Sequence, residues 1–214
     1  MKKIALLFII VFSVTLVNSQ VHINTFIVGG ISLPNFKYSY DKVSSPRSIY
    51  QGYTGGLLAS TGFMGGTKNN MMLNFGLNYL QAGAVDKAPT STTFVESKIR
   101  LNYLQGEFFI SLPISLLELC GGFYYNYAIS GKKTYSKTDG TSTTTDIKFG
   151  NQDGVDDAHR DDFGLSLKTI INVSKVKFIL GYNKGLFGIS ANALEDVYNK
   201  TYSISIAYPL GKKK

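Results

Sequence analysis

Apolar and polar residues alternate along most of the chain beyond residue 26. In the segment 71–81, an extended chain would set Leu73, Phe75 and Leu77 on one face and Asn74 on the other. Successive side chains of a β-strand point to opposite sides, so alternation with a period of two predicts strands. Eight segments show this alternation: 27–33, 51–64, 71–81, 93–104, 117–130, 163–173, 176–184 and 202–210.

The connections between these segments alternate between long and short. In chain order they are 34–50, 65–70, 82–92, a break around Pro113, 131–162, Ser174-Lys175 and 185–201. Transmembrane barrels have short turns on the periplasmic side and longer loops outside. The pattern therefore predicts an all-β fold, an eight-stranded antiparallel up-and-down transmembrane β-barrel with its long connections on one side.

One stretch does not fit this pattern. The alternation stops at Gln105-Gly106-Glu107 and resumes at Phe108 in the opposite phase. A bulge at Gly106 would produce such a change of phase. The sequence leaves open whether 105–116 ends the fourth strand or forms a wide turn.

Charged residues occupy the less apolar face of several predicted strands. An eight-stranded barrel is just wide enough for side chains to fill it, and buried charges there must pair or stay hydrated. We predict a structural polar network in the lumen, with a narrow conduction path as the alternative. Its members are Glu96, Lys98, Arg100, Glu118 and Lys168.

The more apolar faces are aliphatic near the middle of the strands and aromatic toward their ends. Transmembrane barrels carry such aromatic girdles at the two membrane interfaces. The predicted girdle residues are Tyr53, Phe75, Tyr79, Tyr103, Phe123, Tyr125, Tyr127, Phe163, Tyr182, Tyr202 and Tyr208.

The first residues have the pattern of a targeting segment. Lys2 and Lys3 precede an apolar run from Ile4 to Val17, which is shorter than the roughly 20 residues of a membrane-spanning helix. We expect a Sec-type signal peptide over residues 1–19 and an outer-membrane barrel domain over 20–214. Export in this form predicts the cell outer membrane as the location, with its lipid and the barrel-assembly machinery as partners.

Composition excludes several other classes of protein. Charged residues are 17% of the chain and aromatic residues 13%, which does not suit a disordered chain. The one cysteine excludes a disulfide scaffold. Without Lys2 and Lys3 the net charge is +6, but the basic residues form no clustered run beyond the terminal lysines, so we expect no nucleic-acid partner.

Candidate catalytic chemistry is sparse. The histidines are His22 and His159, and no Gly-x-Ser-x-Gly nucleophile motif occurs. We therefore expect no enzyme activity and no cofactor. The alternative is a Ca²⁺ site in the acidic stretch 139–162, because Ca²⁺ binds clustered carboxylates, although a solvated loop would have the same composition. Its acids are Asp139, Asp146, Asp153, Asp156, Asp157, Asp161 and Asp162.

Short motifs spread along the chain resemble the Bacteroidetes porin-like family of eight-stranded outer-membrane β-barrels. They are Gly29-Gly30-Ile31, the run 99–104, the run 121–125, the run 146–150, the run 162–165, the run 181–186 and the run 202–206. The resemblance implies an outer-membrane barrel with a structural or porin-like role. Two alternatives remain open: an adapter for secretion or adhesion that contacts a protein partner through the 131–162 loop, and a soluble exported ligand-binding β-barrel.

Overall fold

The computed structural model describes residues 23–38, 47–64, 71–87, 94–152, 155–191 and 197–211. Its strands are β1 (Ile23–Tyr38), β2 (Arg47–Ser48), β3 (Gly52–Met64), β4 (Met71–Lys87), β5 (Phe94–Ile114), β6 (Leu117–Lys137), β7 (Ser142–Asp146), β8 (Asp161–Val173), β9 (Val176–Gly185) and β10 (Val197–Leu210). The predicted signal peptide and the terminal lysines lie outside the described residues. Within those residues, no helix has the length and apolar character needed to cross a membrane.

Eight long strands form a closed antiparallel ring. Each pairs with the next in the order β1, β3, β4, β5, β6, β8, β9 and β10, and β10 pairs back with β1. The closing ladder places Ile31 opposite Ile204. The short strands extend the wall, since β2 pairs with β4 and β7 with β6. The predicted all-β, up-and-down, eight-stranded barrel is confirmed.

Two connections at one end of the ring are tight turns, and we call this end the turn end. Ser115 and Ser174 begin the two-residue connections between β5 and β6 and between β8 and β9, with φ values of 58° and 57°. Such positive φ values match the twist of the flanking strands in two-residue hairpins. The stretch 105–116 is therefore the end of β5 followed by a tight turn.

The opposite end, which we call the loop end, contains more strand than the sequence pattern predicts. The predicted connection 82–92 is wrong over most of its length, because β4 continues to Lys87 and pairs with β5 as far as Glu96. Likewise, the predicted 131–162 loop contains the end of β6 and all of β7, which form a hairpin from Lys132 opposite Asp146 to Ser136 opposite Ser142. Small residues in the β4 extension and polar residues in the β6–β7 hairpin obscure the alternation, although backbone pairing continues through both.

The apolar faces of the strands point away from the barrel. Leu77, Leu167 and Phe178 are 55%, 58% and 41% exposed, whereas Asn74 and Ser166 on the intervening positions are buried. This is the reverse of a water-soluble barrel, whose apolar side chains fill the interior. Other exposed apolar residues on the ring are Ile27, Leu57, Leu104, Ile110, Leu112, Leu119, Leu165, Leu180, Ile204, Ile206 and Leu210.

The predicted orientation of the first half of β5 is wrong. Leu101 and Tyr103 are 2% and 0% exposed and lie inside, on the same face as Gln105, Glu107 and Phe109. Alternation continues unbroken through Gly106, and the nearby bulge lies instead on β6, where Asn102 pairs with Ser130 and Tyr103 with Ala128. The interior near the loop end is apolar, and this reverses the pattern expected for a polar lumen.

This reversal corrects four predicted site residues. Glu96, Lys98 and Arg100 occupy the positions that alternate with buried Leu101 and Tyr103, so they lie on the outer face and not in the lumen. Tyr103 is buried in the interior and is not a girdle residue. The other predicted girdle residues lie on outward-facing positions: Tyr53, Phe75, Tyr79, Phe123, Tyr125, Tyr127, Phe163, Tyr182, Tyr202 and Tyr208.

Two adjacent glycines on β6 differ in how much space a side chain would find beside them. A Cβ added to Gly122 would collide with the Phe108 carbonyl oxygen and lie 2.6 Å from Phe109 Cβ, whereas one added to Gly121 would lie 3.9 Å from the nearest Leu167 side-chain atom. We expect Gly122→Ala to destabilise the barrel by about 1–3 kcal/mol, as overpacking does.

The measurement is urea unfolding in detergent micelles, followed by far-ultraviolet circular dichroism. Gly121→Ala is the matched control, because it adds the same methyl group to the neighbouring residue and should leave the midpoint almost unchanged. Equal midpoints for Gly122→Ala and Gly121→Ala would contradict the close approach of β5 and β6.

Candidate functional site

A buried ion pair lies near the middle of the barrel interior. Lys168 on β8 donates to Glu107 Oε2 on β5 across the lumen at 2.6 Å, and Asn78 Nδ2 donates to the same oxygen at 3.0 Å. The two side chains are 11% and 3% exposed. Lys168 Nζ also lies 4.8 Å from the centroid of the Phe109 ring, a cation–π contact. The pair joins strands that are not neighbours in the ring.

A second ion pair lies at the turn end. Lys177 Nζ donates to Glu118 Oε1 at 2.6 Å, and Asn172 Nδ2 donates to the same atom at 2.9 Å. Lys177 Nζ lies 5.1 Å from the centroid of the Phe26 ring. Glu118 and Lys177 each follow one of the tight turns by two or three residues, so the strand register itself brings them together.

The third polar centre surrounds Asp162, toward the loop end. Its carboxylate accepts hydrogen bonds from Asn126 Nδ2 at 2.9 Å, Asn199 Nδ2 at 3.0 Å and the Tyr124 hydroxyl at 3.3 Å. Gln105 Nε2 donates to Asn126 Oδ1 at 2.9 Å and extends the network to β5. Asp162 is 1% exposed, and all of these donors are neutral, so hydrogen bonds alone compensate for its burial.

Two apolar layers cross the barrel interior at different heights. The turn-side layer lies between the two ion pairs and draws residues from seven of the eight ring strands. Its members are Phe26, Leu58, Phe109, Cys120, Ile170, Ile179 and Ala207. The loop-side layer lies beyond Asp162 and includes residues from two connections, β7 to β8 and β9 to β10. Its members are Phe36, Leu80, Ala82, Ala84, Leu101, Tyr103, Ala128, Ile147, Ala158, Ile189 and Val197.

Between the layers lies a small polar cavity of about 30 Å³. Asn78 Oδ1, Glu107 Oε1 and Asn183 Oδ1 belong to residues that line it, and these three atoms are buried without a protein hydrogen-bond partner. A cavity needs roughly 10–15 Å³ to hold one water molecule. The cavity therefore has the volume and the acceptors for one or two internal waters.

A wider depression of about 150 Å³ opens at the loop end, above the loop-side layer. Apolar side chains form its floor, and Lys133, Asp157 and Ser190 contribute polar groups to its wall. The depression ends on buried Leu101 and Ile189. It is a recess in the mouth of the barrel, and its lining shares no residue with that of the polar cavity below.

Of the residues predicted for the lumen, Glu118 and Lys168 lie inside the barrel, and each pairs with a residue that the prediction omitted. The omitted partners are Lys177 and Glu107. The prediction also places Asp162, the centre of the third polar network, in a loop. Glu107 was missed because the stretch around Gly106 looked like a change of phase. A continuous count by twos from Leu101 would have placed Glu107 on the same face as Phe109.

The acidic stretch 139–162 does not gather its carboxylates. Asp156 accepts from the Gln152 N–H, Asp157 from the Lys148 N–H and Asp161 from the Tyr125 hydroxyl. Asp162 points into the barrel, and Asp153 lies outside the described residues. Among the residues that are described, no group of three potential metal-binding side chains forms, so the Ca²⁺ hypothesis gains no geometric support.

The remaining candidates in this region have structural contacts. The hydroxyl and N–H groups of Thr141 donate to Asp139, and these hydrogen bonds lower the pKa of the Asp139 carboxyl. His159 Nδ1 lies 2.8 Å from Asn151 Oδ1 and 3.2 Å from the Gly150 carbonyl oxygen. The first contact lies in the β6–β7 turn, and those of His159 lie within the connection between β7 and β8.

The Glu107–Lys168 pair makes a direct test of the interior. We expect Lys168→Met to destabilise the barrel by about 3–5 kcal/mol, because it leaves a buried carboxylate without its cation. The double variant Glu107→Gln, Lys168→Met should recover most of this loss, since both charges are removed. Urea unfolding in micelles measures both changes.

Lys175→Met serves as the control for loss of a lysine, because Lys175 lies exposed in a tight turn. It should unfold at the wild-type urea concentration. If Lys168→Met unfolded there as well, the buried pair would contribute nothing to stability.

Comparison with known proteins gives a likeness of fold only. No protein-family model matches the sequence, and no curated protein matches it significantly. Among solved structures, the chain is similar to Ail, the attachment invasion locus protein of Yersinia pestis, solved in complex with the heparin analogue sucrose octasulfate. The two are 12% identical with a TM-score of 0.40, and the match covers 88% of this chain and 99% of Ail. The chain is also similar to Neisserial surface protein A, with 10% identity, a TM-score of 0.48, and coverage of 87% and 97%. Membership of the Bacteroidetes porin-like family stays a prediction.

Proposed function

We propose that this chain is an integral outer-membrane barrel whose outer wall contacts lipid directly. The observation that carries the proposal is the exposed apolar surface of a closed ring, exemplified by Leu77, Leu167 and Leu180. In hydrocarbon every backbone N–H and C=O must be hydrogen-bonded within the protein, and a closed barrel meets that requirement with strands. A soluble ligand-binding barrel would need the opposite distribution of apolar residues.

The direction of insertion follows from the ends of the ring. Ile23 of β1 and Leu210 of β10 both lie at the turn end, beside the tight turns. With an exported chain, the turn end faces the periplasm and the loop end faces outward, as in other transmembrane barrels. Outer-membrane lipid and the barrel-assembly machinery are then the proposed partners, and the predicted signal peptide supplies the route.

Within this class, the interior favours a structural role over a porin-like one. Both apolar layers reach across the lumen, and the polar cavity between them has a volume of about 30 Å³. Water and ions need a continuous polar path, and buried Phe109 and Ile170 interrupt it. We infer a membrane anchor that presents its loop end to the exterior and has no catalytic task.

Conductance measurements test this role. Purified barrel inserted in planar lipid bilayers should give no steady single-channel current in 1 M KCl. Insertion is verified in the same sample by a gel on which the folded barrel migrates differently before and after boiling. A reproducible open-channel current from fully inserted protein would favour the porin-like alternative.

A second candidate function is contact with a protein partner in secretion or adhesion. The hairpin of β6 and β7 extends beyond the ring, and every residue of β7 from Ser142 to Asp146 is exposed. Among the described strands, β7 pairs with β6 alone, so its other edge is open to an added strand, a common mode of peptide recognition.

Truncation of this hairpin tests the second candidate. Replacing residues 135–143 with Asn-Gly joins the two strands through a turn that suits a two-residue hairpin. Cells that carry this variant should lose adhesion or secretion activity, whereas the boiling-dependent gel shift should persist. As a control, Thr143→Ser with Thr145→Ser keeps the full hairpin. Wild-type activity in the truncated variant would restrict the role to anchoring.

A further inference from the structure

The outer face of β9 and β10 changes character in a regular order toward the loop end. Directly opposed pairs face outward at successive levels, and they progress from apolar to aromatic to basic. From near the turn end toward the loop end these pairs are Phe178 and Ile206, Leu180 and Ile204, Tyr182 and Tyr202, and Lys184 and Lys200. One pair is about 7 Å along the strand from the next, so the lysines follow the aromatic level immediately.

The outer face of β5 and β6 also becomes basic toward the loop end, but with a polar level in between. Leu104 opposes Tyr127, Asn102 opposes Ser130, and Arg100 opposes Lys132. The Tyr79 hydroxyl donates to Asn102 Oδ1 at 2.8 Å, and Asn102 Nδ2 donates to Ser130 Oγ at 2.8 Å. A polar hydrogen-bonded level thus separates the aromatic side chains from Arg100 and Lys132.

Arg160 immediately precedes β8, and β8 lies between these two pairs of strands in the ring. Its guanidinium is 5.9 Å from the centroid of the Tyr127 ring, and Nη1 donates to the Tyr127 hydroxyl at 3.4 Å. We name the resulting set the outer basic arc. It spans the five consecutive ring strands β5, β6, β8, β9 and β10, and consists of Arg100, Lys132, Arg160, Lys184 and Lys200.

The described side chains near this level on β1 and β4 are neutral. Asn35 on β1 lies directly opposite Lys200, and Gln81 on β4 donates from Nε2 to the Tyr79 hydroxyl. Among the side chains that are described near this level, the positive charge therefore lies on one side of the wall. This uneven distribution is what a specific contact requires, because solubility alone would spread charge around the rim.

The arc places like charges opposite each other without neutralising them. Lys184 opposes Lys200 and Arg100 opposes Lys132, and directly opposed like charges destabilise a sheet. Ion pairs within the described residues are confined to the interior, so none of the arc side chains is paired with a described carboxylate. Arg100 Nε is moreover buried without a hydrogen-bond acceptor.

Two acids lie nearby and leave the arc positive. Asp146 on β7 lies opposite Lys132 on β6 but forms no ion pair with it. Asp161 accepts a hydrogen bond from the hydroxyl of Tyr125. Lys200 Nζ is held 5.4 Å from the centroid of the Tyr202 ring and 5.9 Å from that of Tyr182. The aromatic level thus fixes at least one cation at the height where a membrane changes from acyl chains to headgroups.

We propose that the outer basic arc binds the phosphate groups of phosphorylated lipids in the outer leaflet. Phosphate oxygens accept several charge-assisted hydrogen bonds at once, and one phosphate between two opposed basic side chains removes their repulsion. The adjoining apolar and aromatic surface receives the acyl chains of the same molecule. This inference rests on the proposed membrane function and names the lipid chemistry that one side of the wall selects.

Native mass spectrometry of the folded barrel in detergent micelles tests the proposal. The probes are bis-phosphorylated lipid A, the same lipid without its phosphates, and inorganic phosphate. The variants are Arg100→Gln with Lys132→Gln, and Lys184→Gln with Lys200→Gln. Lys137→Gln with Lys175→Gln is the control, since it removes the same charge from the hairpin tip and a turn-end connection.

Wild type and control should retain phosphorylated lipid A, and each arc variant should bind it about 25-fold more weakly, because one basic side chain near anionic lipid contributes roughly fivefold. Equal retention by the arc variants, or equal binding of the phosphate-free lipid, would overturn the proposal. If the barrel retained inorganic phosphate but did not retain lipid A, the proposal would also be overturned. The proposed membrane function fails separately, if wild type does not insert and lacks the boiling-dependent gel shift.

Discussion

The ladder between the first and last long strands is the constraint on which the structure depends. Once β1 pairs with β10, through contacts such as Ile31 opposite Ile204, the ring has no free edge along its middle, and every residue must face either inward or outward. Closure thereby allows apolar side chains to cover the outside of the wall without leaving backbone groups unpaired in hydrocarbon. All other features, including the choice of residues inside, follow from this division.

A ring of eight strands leaves a narrow interior, and the charges placed there need partners within reach. Glu107 with Lys168 and Glu118 with Lys177 meet this need, and each lysine also covers an aromatic ring of the turn-side layer. Asp162 has three neutral donors instead. The interior therefore links strands that do not touch in the sheet, and it resembles a folded core more than a pore.

Sequence patterning predicts the strands well where the outward face is apolar and exposed. The alternation in 176–184 and 202–210 assigns both faces correctly, since Phe178 and Ile206 are exposed while Ile179 and Ala207 are buried. It fails in the first half of β5, where Leu101 and Tyr103 face inward. A period of two indicates that the faces differ but not which face is inside, and that depends on the surroundings at each height.

The partners of the buried charges also cannot be predicted from the alternation of apolar and polar residues. Lys168 and Glu107 are 61 residues apart in the chain, and they meet only because the registers of β5, β6 and β8 bring the same level of the barrel together. A single sequence contains the charges but not the registers. The tight turns at Ser115 and Ser174 fix those registers, and composition alone does not mark either serine as a turn position.

The switch of β5 from one environment to another has a consequence for mutational tolerance. Ile110 is exposed on the apolar wall, and Arg100 occupies an outward position ten residues earlier on the same strand. The same exchange of an aliphatic side chain for a charged one is therefore harmful at the first site and compatible with the fold at the second. The effect of a substitution in this chain therefore depends on its height along the barrel axis as well as on its orientation. An outward position on β5 carries an apolar side chain at Ile110 but a charged one at Arg100.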